Sequence, residues 1–389
     1  MLKKLIRFLR GSYTSAGIEV SDGTIRLINL LIRRGKTPEL VEFIEETLSE
    51  DSIDDGKIKD SLKLMKTIQT LSARLEKTPD FVHFVLPSQL IMVRFLRLPD
   101  VRIRDIRRMV EFELKHNIHL PFQNPLFDIV KVNGNQDIAK MGWNGIKSVL
   151  SYFTSYSHNL DHDKHKLKDL TKDNSVFVAE TDKQVPMCDV MLVATSSDFV
   201  AGYTEIFDAA KLPITTMEIK ALSIMRYIEK SQVISSNATF LIVDVNTLTT
   251  DLTIYHNGYV GITRNVPINF QETEATILDV GGNEALAMAM QIARDAAFNT
   301  HCNDLAYEVE RLMSFYRYSL NHQQFERFDH ILLTGEMKRL KEVSTQMTRI
   351  LTMDVQVIKP QNVEKMEKVE KSFSSFSIAL GSALRGDEK

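Results

Sequence analysis

Residues Phe240 to Arg264, FLIVDVNTLTTDLTIYHNGYVGITR, constrain the fold more than any other stretch of the chain. The apolar run Phe240-Leu241-Ile242-Val243 has the length and composition of a buried strand, and it leads into Asp244. Asn246, Thr247, Thr249, Thr250 and Asp251 follow as a cluster of hydroxyls, an amide and a carboxylate. The chain returns as Leu252-Thr253-Ile254-Tyr255 and turns again at His256-Asn257-Gly258, a pattern that predicts a β-hairpin meander. A strand that delivers an aspartate into such a turn is one way to hold a phosphate and its magnesium. Backbone N–H groups and hydroxyls then face phosphate oxygens, while the carboxylate binds the metal directly or through its water. The same residues are also ordinary turn formers, and the stretch alone leaves both readings open.

At 389 residues the chain exceeds one simple core, and two to four subdomains are expected. Its 43% hydrophobic and 25% charged residues are those of a soluble globular protein, and a net charge of −3 gives no support to nucleic-acid binding. Cys188 and Cys302 fit no metal spacing, which makes a reducing compartment the default. No run reaches the roughly 20 apolar residues of a spanning helix. The opening MLKKLIRFLR reads as a frayed or docked terminus; the alternative is a short basic segment touching anionic lipid.

Ala16 to Asn29 repeats the strand–turn–strand pattern, with Ser21-Asp22-Gly23-Thr24 as its turn. Strands are expected at Leu40–Leu48, Phe81–Leu86, Gln89–Leu98, Phe127–Val132, Val190–Ala194 and His330–Thr334. Apolar spacing predicts helices over Lys57–Leu75, Arg102–His116, Asp198–Ala210, Lys338–Ile350 and Ser374–Leu384, the last a small-residue helix suited to close packing. Ile214–Ile219 leads into a further helix through Tyr227. Glu284–Phe298, rich in Ala and Met, and Leu305–Leu320 are expected as a pair of core helices, the alternative being a Met-rich binding surface. Asn133 to Val185 carries little periodic pattern. Its His158, His162 and His165 match no closed zinc spacing and read as a solvated loop. Asp279-Val280-Gly281-Gly282-Asn283 looks like a phosphate turn but lacks a preceding strand, and reads as a loop or helix lead-in.

The duplicated strand–hairpin–strand, near residue 20 and again near residue 245, resembles the actin-like ATPase superfamily. Within it the chain is similar to the PilM type IV pilus assembly proteins, relatives of the division protein FtsA. Six stretches carry the likeness: GIEVSDGTIRLINL, VRFLRLP at Val93–Pro99, EFELKHNIHLP, VMLVATSSDFVAGYTEIFDAAKLPITTMEI, LAYEVERLMSF, and the pair Leu332–Gly335 with Ile378–Arg385. Together they span about Gly17 to Arg385 in the family's order. The resemblance implies an α/β, actin-like (ribonuclease H-like, duplicated) fold with an FtsA/PilM-type inserted subdomain. The implied divisions are 12–87 and 196–232 for the first subdomain, 88–195 for the insertion and 233–389 for the second actin-like half.

By the same resemblance the nucleotide site would comprise Glu19, Ser21, Asp22, Gly23, Thr24 and Arg26 from the first hairpin. The second would give Asp244, Asn246, Thr247, Thr249, Thr250 and Asp251, with Asp244 ordering magnesium through water. Glu308 and Arg311 would lie near the ribose and base, with Gly335 and Glu336 closing the adenosine end. Departures from the family pattern are grouped there. Glu19 stands for an aspartate, Ser21 for a glycine and Arg26 for a lysine; Asn246 and Leu248 replace glycines, as do Glu336 and Met337 after the retained Gly335. Backbone that must approach phosphates closely favours glycine. A carboxylate displaced by a bond length can cost on the order of 100-fold in rate.

Three functions follow, in order. The first is a cytoplasmic scaffold at the inner membrane for a pilus, secretion or competence machine. It would bind the N-terminal peptide of a PilN-like inner-membrane protein, contact other inner-membrane and motor components, and associate with the membrane only indirectly. Self-association is left open. The second is a working Mg·ATPase; the cofactors implied are ATP and Mg2+, or equally neither. The third is an FtsA-like division tether, disfavoured because the chain ends at Arg385-Gly386-Asp387-Glu388-Lys389 without an amphipathic helix.

Overall fold

The structure, a computed structural model, describes residues 11–133, 186–274, 284–319 and 328–387, apart from 22, 50, 233, 236, 237, 257, 370 and 371. The basic N-terminal decapeptide, the histidine-rich segment at 158–165 and the turn at 279–283 lie outside the described residues.

Strands β1 (Ser12–Val20), β2 (Thr24–Arg33) and β3 (Glu39–Thr47) form an antiparallel meander. A small hairpin, β4 (Ile53–Asp54) and β5 (Lys57–Ile58), precedes helix α1 (Ser61–Arg74). The helix expected from Lys57 therefore starts four residues later. Asp60 fixes the start by accepting from the N–H groups of Leu62 and Lys63, two of the orphan donors of a first turn. Next come β6 (Phe81–Leu86), stopped by Pro87, β7 (Ile91–Pro99), α2 (Ile103–His116), β8 (Pro125–Asn133) and β9 (Met187–Ser196). Helix α3 (Ser197–Ala209), β10 (Thr216–Ile219) and α4 (Lys220–Ser231) lead to the second half.

That half opens with the meander β11 (Phe240–Val245), β12 (Thr250–His256) and β13 (Tyr259–Val266). It continues through α5 (Gln271–Glu274), α6 (Glu284–Ser319), β14 (His330–Thr334), α7 (Leu340–Leu351), β15 (Val355–Val357) and α8 (Phe373–Ala383). The two five-stranded sheets run β10-β6-β1-β2-β3 and β13-β12-β11-β14-β15. In each, a meander is extended by two parallel strands beside its first strand. One topology occurs twice, and this is the duplicated actin-like architecture. A third sheet, β7-β9-β8, is antiparallel throughout and encloses its own core with α2, including Ile106, Val110, Ile129, Val190 and Leu192.

The expected pair of helices at 284–320 is one helix of 36 residues as far as Ser319, Leu320 lying outside the described residues. The polar stretch Asn299 to Asp304 contains neither proline nor glycine, so nothing in it breaks the backbone ladder. Phe298, Cys302, Leu305, Val309, Leu312 and Tyr316 form its buried stripe. The first turns, expected to be core, instead display Leu286, Met288 and Ile292 to solvent.

Helices α4 and α8 lie at the junction of the halves, within the largest core cluster. Their approach is close: a Cβ on Gly381 would stand 2.0 Å from the Ser223 carbonyl oxygen, and one on Gly17 1.9 Å from that of Ala379. The small-residue character of the last helix is thus a packing requirement. Beside it Arg226 donates to both carboxylate oxygens of the fully buried Glu218 at 2.8 Å, and Arg385 reaches the same group at 3.1 Å.

Candidate functional site in the cleft between the halves

The duplication brings the carboxyl ends of β1 and β11 to opposite walls of one cleft, where open α/β sheets ordinarily place their ligands. Its volume is about 1280 Å³. The register repeats too: Glu19 faces Arg26 across the first hairpin, and Asp244 faces Asp251 across the second. Each turn is closed by its own backbone, Ser21 N–H to the Thr24 carbonyl at 2.9 Å and Asn246 N–H to that of Thr249 at 3.0 Å.

Two side chains organise the interior of the site. Lys220, the first residue of α4, lines the cleft with its ammonium 3.2 Å from Glu19 Oε1, 3.0 Å from Asp244 Oδ2 and 3.2 Å from Asp251 Oδ2. The three carboxylates are buried behind it. Asn246 Nδ2 donates to Asp244 at 3.0 Å, while Ser88 Oγ and Asn265 Nδ2 donate to Asp251 at 3.0 and 2.8 Å. Burial alone would lower the Lys220 ammonium, but Asp244, Asp251 and Glu19 outweigh it and hold the group well above its usual value, so it stays charged. One ammonium cannot balance three carboxylates. Burial, with Asp244 adding repulsion against the attraction of Lys220 and Arg26, pushes Glu19 up from 4.5 to about 7.

The second is Glu336. Its Oε1 accepts from the Thr247 N–H at 3.1 Å and hydroxyl at 3.0 Å. Its Oε2 stands 2.9 Å from Arg26 Nη2, and accepts from Thr24 Oγ1 at 3.3 Å and Ser21 Oγ at 3.5 Å. Burial pushes this carboxyl up, but Arg26 and the Thr247 donors win and hold it below the usual range. Arg26 is shared with Glu45 at 2.6 Å. Gly335 positions Glu336: its φ is +121°, and a Cβ there would meet the Val245 carbonyl oxygen at 2.1 Å.

Of the other residues singled out in the sequence, Gly23 and Thr249 line the cleft, and the space around Gly23 is open enough for a side chain. Thr250 is buried, its hydroxyl without a partner among the described residues. Asp22 lies outside the described residues. Glu308 and Arg311 stand on α6 apart from the cleft lining, in an ion-pair chain with Arg264 at 3.2 and 3.3 Å. Lys220 escaped the sequence reading although it leaves a signal. A cation as the first residue of a helix opposes the helix dipole and calls for acidic neighbours.

A family model described as type IV pilus assembly protein PilM matches residues 172–387, more than half of the chain. The chain belongs to this PilM family. No curated protein matches it. Among solved structures, a PilM-PilN type IV pilus biogenesis complex aligns over 96% of this chain and 99% of its own, at 18% identity and a TM-score of 0.69. The ethanolamine utilization protein EutJ from Carboxydothermus hydrogenoformans aligns over 95% and 89%, at 11% identity and 0.49. MreB 5 of Spiroplasma citri bound to AMPPNP aligns over 96% of both chains, at 9% identity and 0.46. For this PilM-family chain the likeness to the first of these extends the shared fold beyond the matched segment, through the β1–β2 hairpin and the β7-β9-β8 sheet. Among the described residues no helix is long and apolar enough to cross a membrane.

Proposed function

We propose that this PilM-family protein is a scaffold of a type IV pilus or related secretion or competence assembly. In this reading it holds the cytoplasmic N-terminal peptide of a PilN-like inner-membrane protein, at the inner face of the cytoplasmic membrane, and its nucleotide site is degenerate. The inserted stretch 88–195 and the first actin-like part would form the peptide's groove. The observation that favours a scaffold over an ATPase is the use already made of the cleft's polar groups: Lys220 and Glu336 engage both hairpins. The correspondence in fold with a PilM-PilN complex supports the choice of partner.

The test has two arms. A labelled synthetic peptide bearing the N-terminus of the PilN-like protein of the same cell is titrated with the full chain, with and without Mg·ATP. Saturable binding indifferent to Mg·ATP is expected; no binding defeats the partner assignment. In the second arm, thermal unfolding is followed with millimolar Mg·ATP, with Asp244→Ala as control. A ligand at a hundred times its Kd stabilises by roughly 2.7 kcal/mol, a shift of several degrees. No shift is expected, and one that vanishes in Asp244→Ala would show a working nucleotide site and favour the ATPase reading instead.

A further inference from the structure

We infer that Lys220 and Glu336 are built-in substitutes for the cation and the phosphate of a nucleotide, so that the two walls of the cleft are bridged with neither bound. This rests on reading the cleft as a nucleotide site that has changed use. The geometry carries it in three steps.

The first concerns the cation. The Lys220 ammonium lies within 3.0–3.2 Å of one oxygen from each of Glu19, Asp244 and Asp251. A magnesium ion ligated by these oxygens at about 2.0–2.1 Å would have to share that space with the ammonium. While the ammonium is in place, magnesium has no room for direct ligation by these three oxygens, and the ammonium supplies the positive charge there.

The second concerns the anion. A backbone N–H, the hydroxyls of Thr247, Thr24 and Ser21, and a guanidinium converge from two hairpin turns, the donor set a phosphoryl group attracts. They converge on the Glu336 carboxylate. Its backbone is fixed against β11 by Gly335, whose conformation and space admit no side chain.

The third concerns what the two groups join. Lys220 ties Glu19 of the first sheet to Asp244 and Asp251 of the second. Glu336 ties the β11–β12 turn to Arg26 and to the β1–β2 turn. Both links cross between the halves at the place where a bound ligand would join them.

The experiment uses the full chain and two probes, inorganic tripolyphosphate followed by calorimetry and Mn2+ followed by electron paramagnetic resonance. Glu336→Ala is the principal variant, because Arg26 retains Glu45 as a partner and the vacated position opens to the cleft. The wild type is expected to take up neither probe. Glu336→Ala is expected to bind tripolyphosphate tighter by roughly tenfold or more. Lys220→Met is expected to unfold at lower temperature and to regain stability with Mn2+, which leaves the wild type unchanged. If Lys220→Met does not fold, Glu336→Ala decides. A folded Glu336→Ala with no gain overturns the inference, as does uptake of Mn2+ by the wild type. If the wild type also ignores Mg·ATP, absence of gain defeats only the substitution and leaves the degenerate-site reading standing. Stabilisation of the wild type by Mg·ATP defeats both.

Discussion

Glu19 shows how burial among a few charged neighbours sets a site's electrostatics. It shares the Lys220 ammonium with Asp244 and Asp251, and burial keeps its proton on until about pH 7. The folded protein thus binds this proton more tightly than the unfolded chain, whose glutamate titrates near 4.5. The stability this contributes is fully present below pH 4.5 and is lost as pH rises through 7. Its size is on the order of 3 kcal/mol. Glu19→Gln is expected to flatten the fall in unfolding free energy between pH 4.5 and 8 by that amount, read from urea titrations at several pH values. An unchanged profile would mean that Glu19 ionises freely in the folded protein.

At the scale of elements, helix ends and helix contacts make separate demands. Removing the cap of α1 with Asp60→Ala is expected to cost about 1 kcal/mol, seen as an earlier denaturation midpoint with an unchanged slope. Gly381 demands more, because any side chain there enters the Ser223 backbone. Gly381→Leu is expected to destabilise by several kcal/mol or to prevent folding, far beyond the roughly 1–3 kcal/mol of ordinary overpacking. Gly381→Leu with near-native stability would show that α8 can move away from α4. Most of the elements themselves are legible in the chain. β6, β14 and the two hairpins follow from apolar runs bounded by turn residues, local facts that tertiary contacts reinforce. The long α6 was less so: its apolar pattern changes partway along, and only the structure shows that exposed turns and buried turns belong to one rod.

Over the whole molecule, the halves are held by the α4–α8 core and by buried charge. Glu218, fully buried between Arg226 and Arg385, joins the end of the first half to the end of the chain. Glu218→Gln leaves two guanidinium groups facing a neutral amide, and a loss of roughly 3–5 kcal/mol is expected. A calorimetric scan should show one transition moving to lower temperature; two separated transitions would mean that the halves unfold independently. The sequence by itself determined the duplicated strand–turn–strand units, most of the longer elements and the family, because period, turn chemistry and motif order are properties of neighbouring residues; the β4–β5 hairpin, α5, β15 and the continuity of α6 were not read from it. The state of the cleft was decided by tertiary structure alone. Lys220 meets Glu19 from about half the chain away, and Glu336 meets Arg26 from still further, so no local pattern records the pairing. A glycine lost from a turn can be read along the chain. That Glu336 and Lys220 reach both hairpins becomes visible only once folding brings the two hairpins face to face.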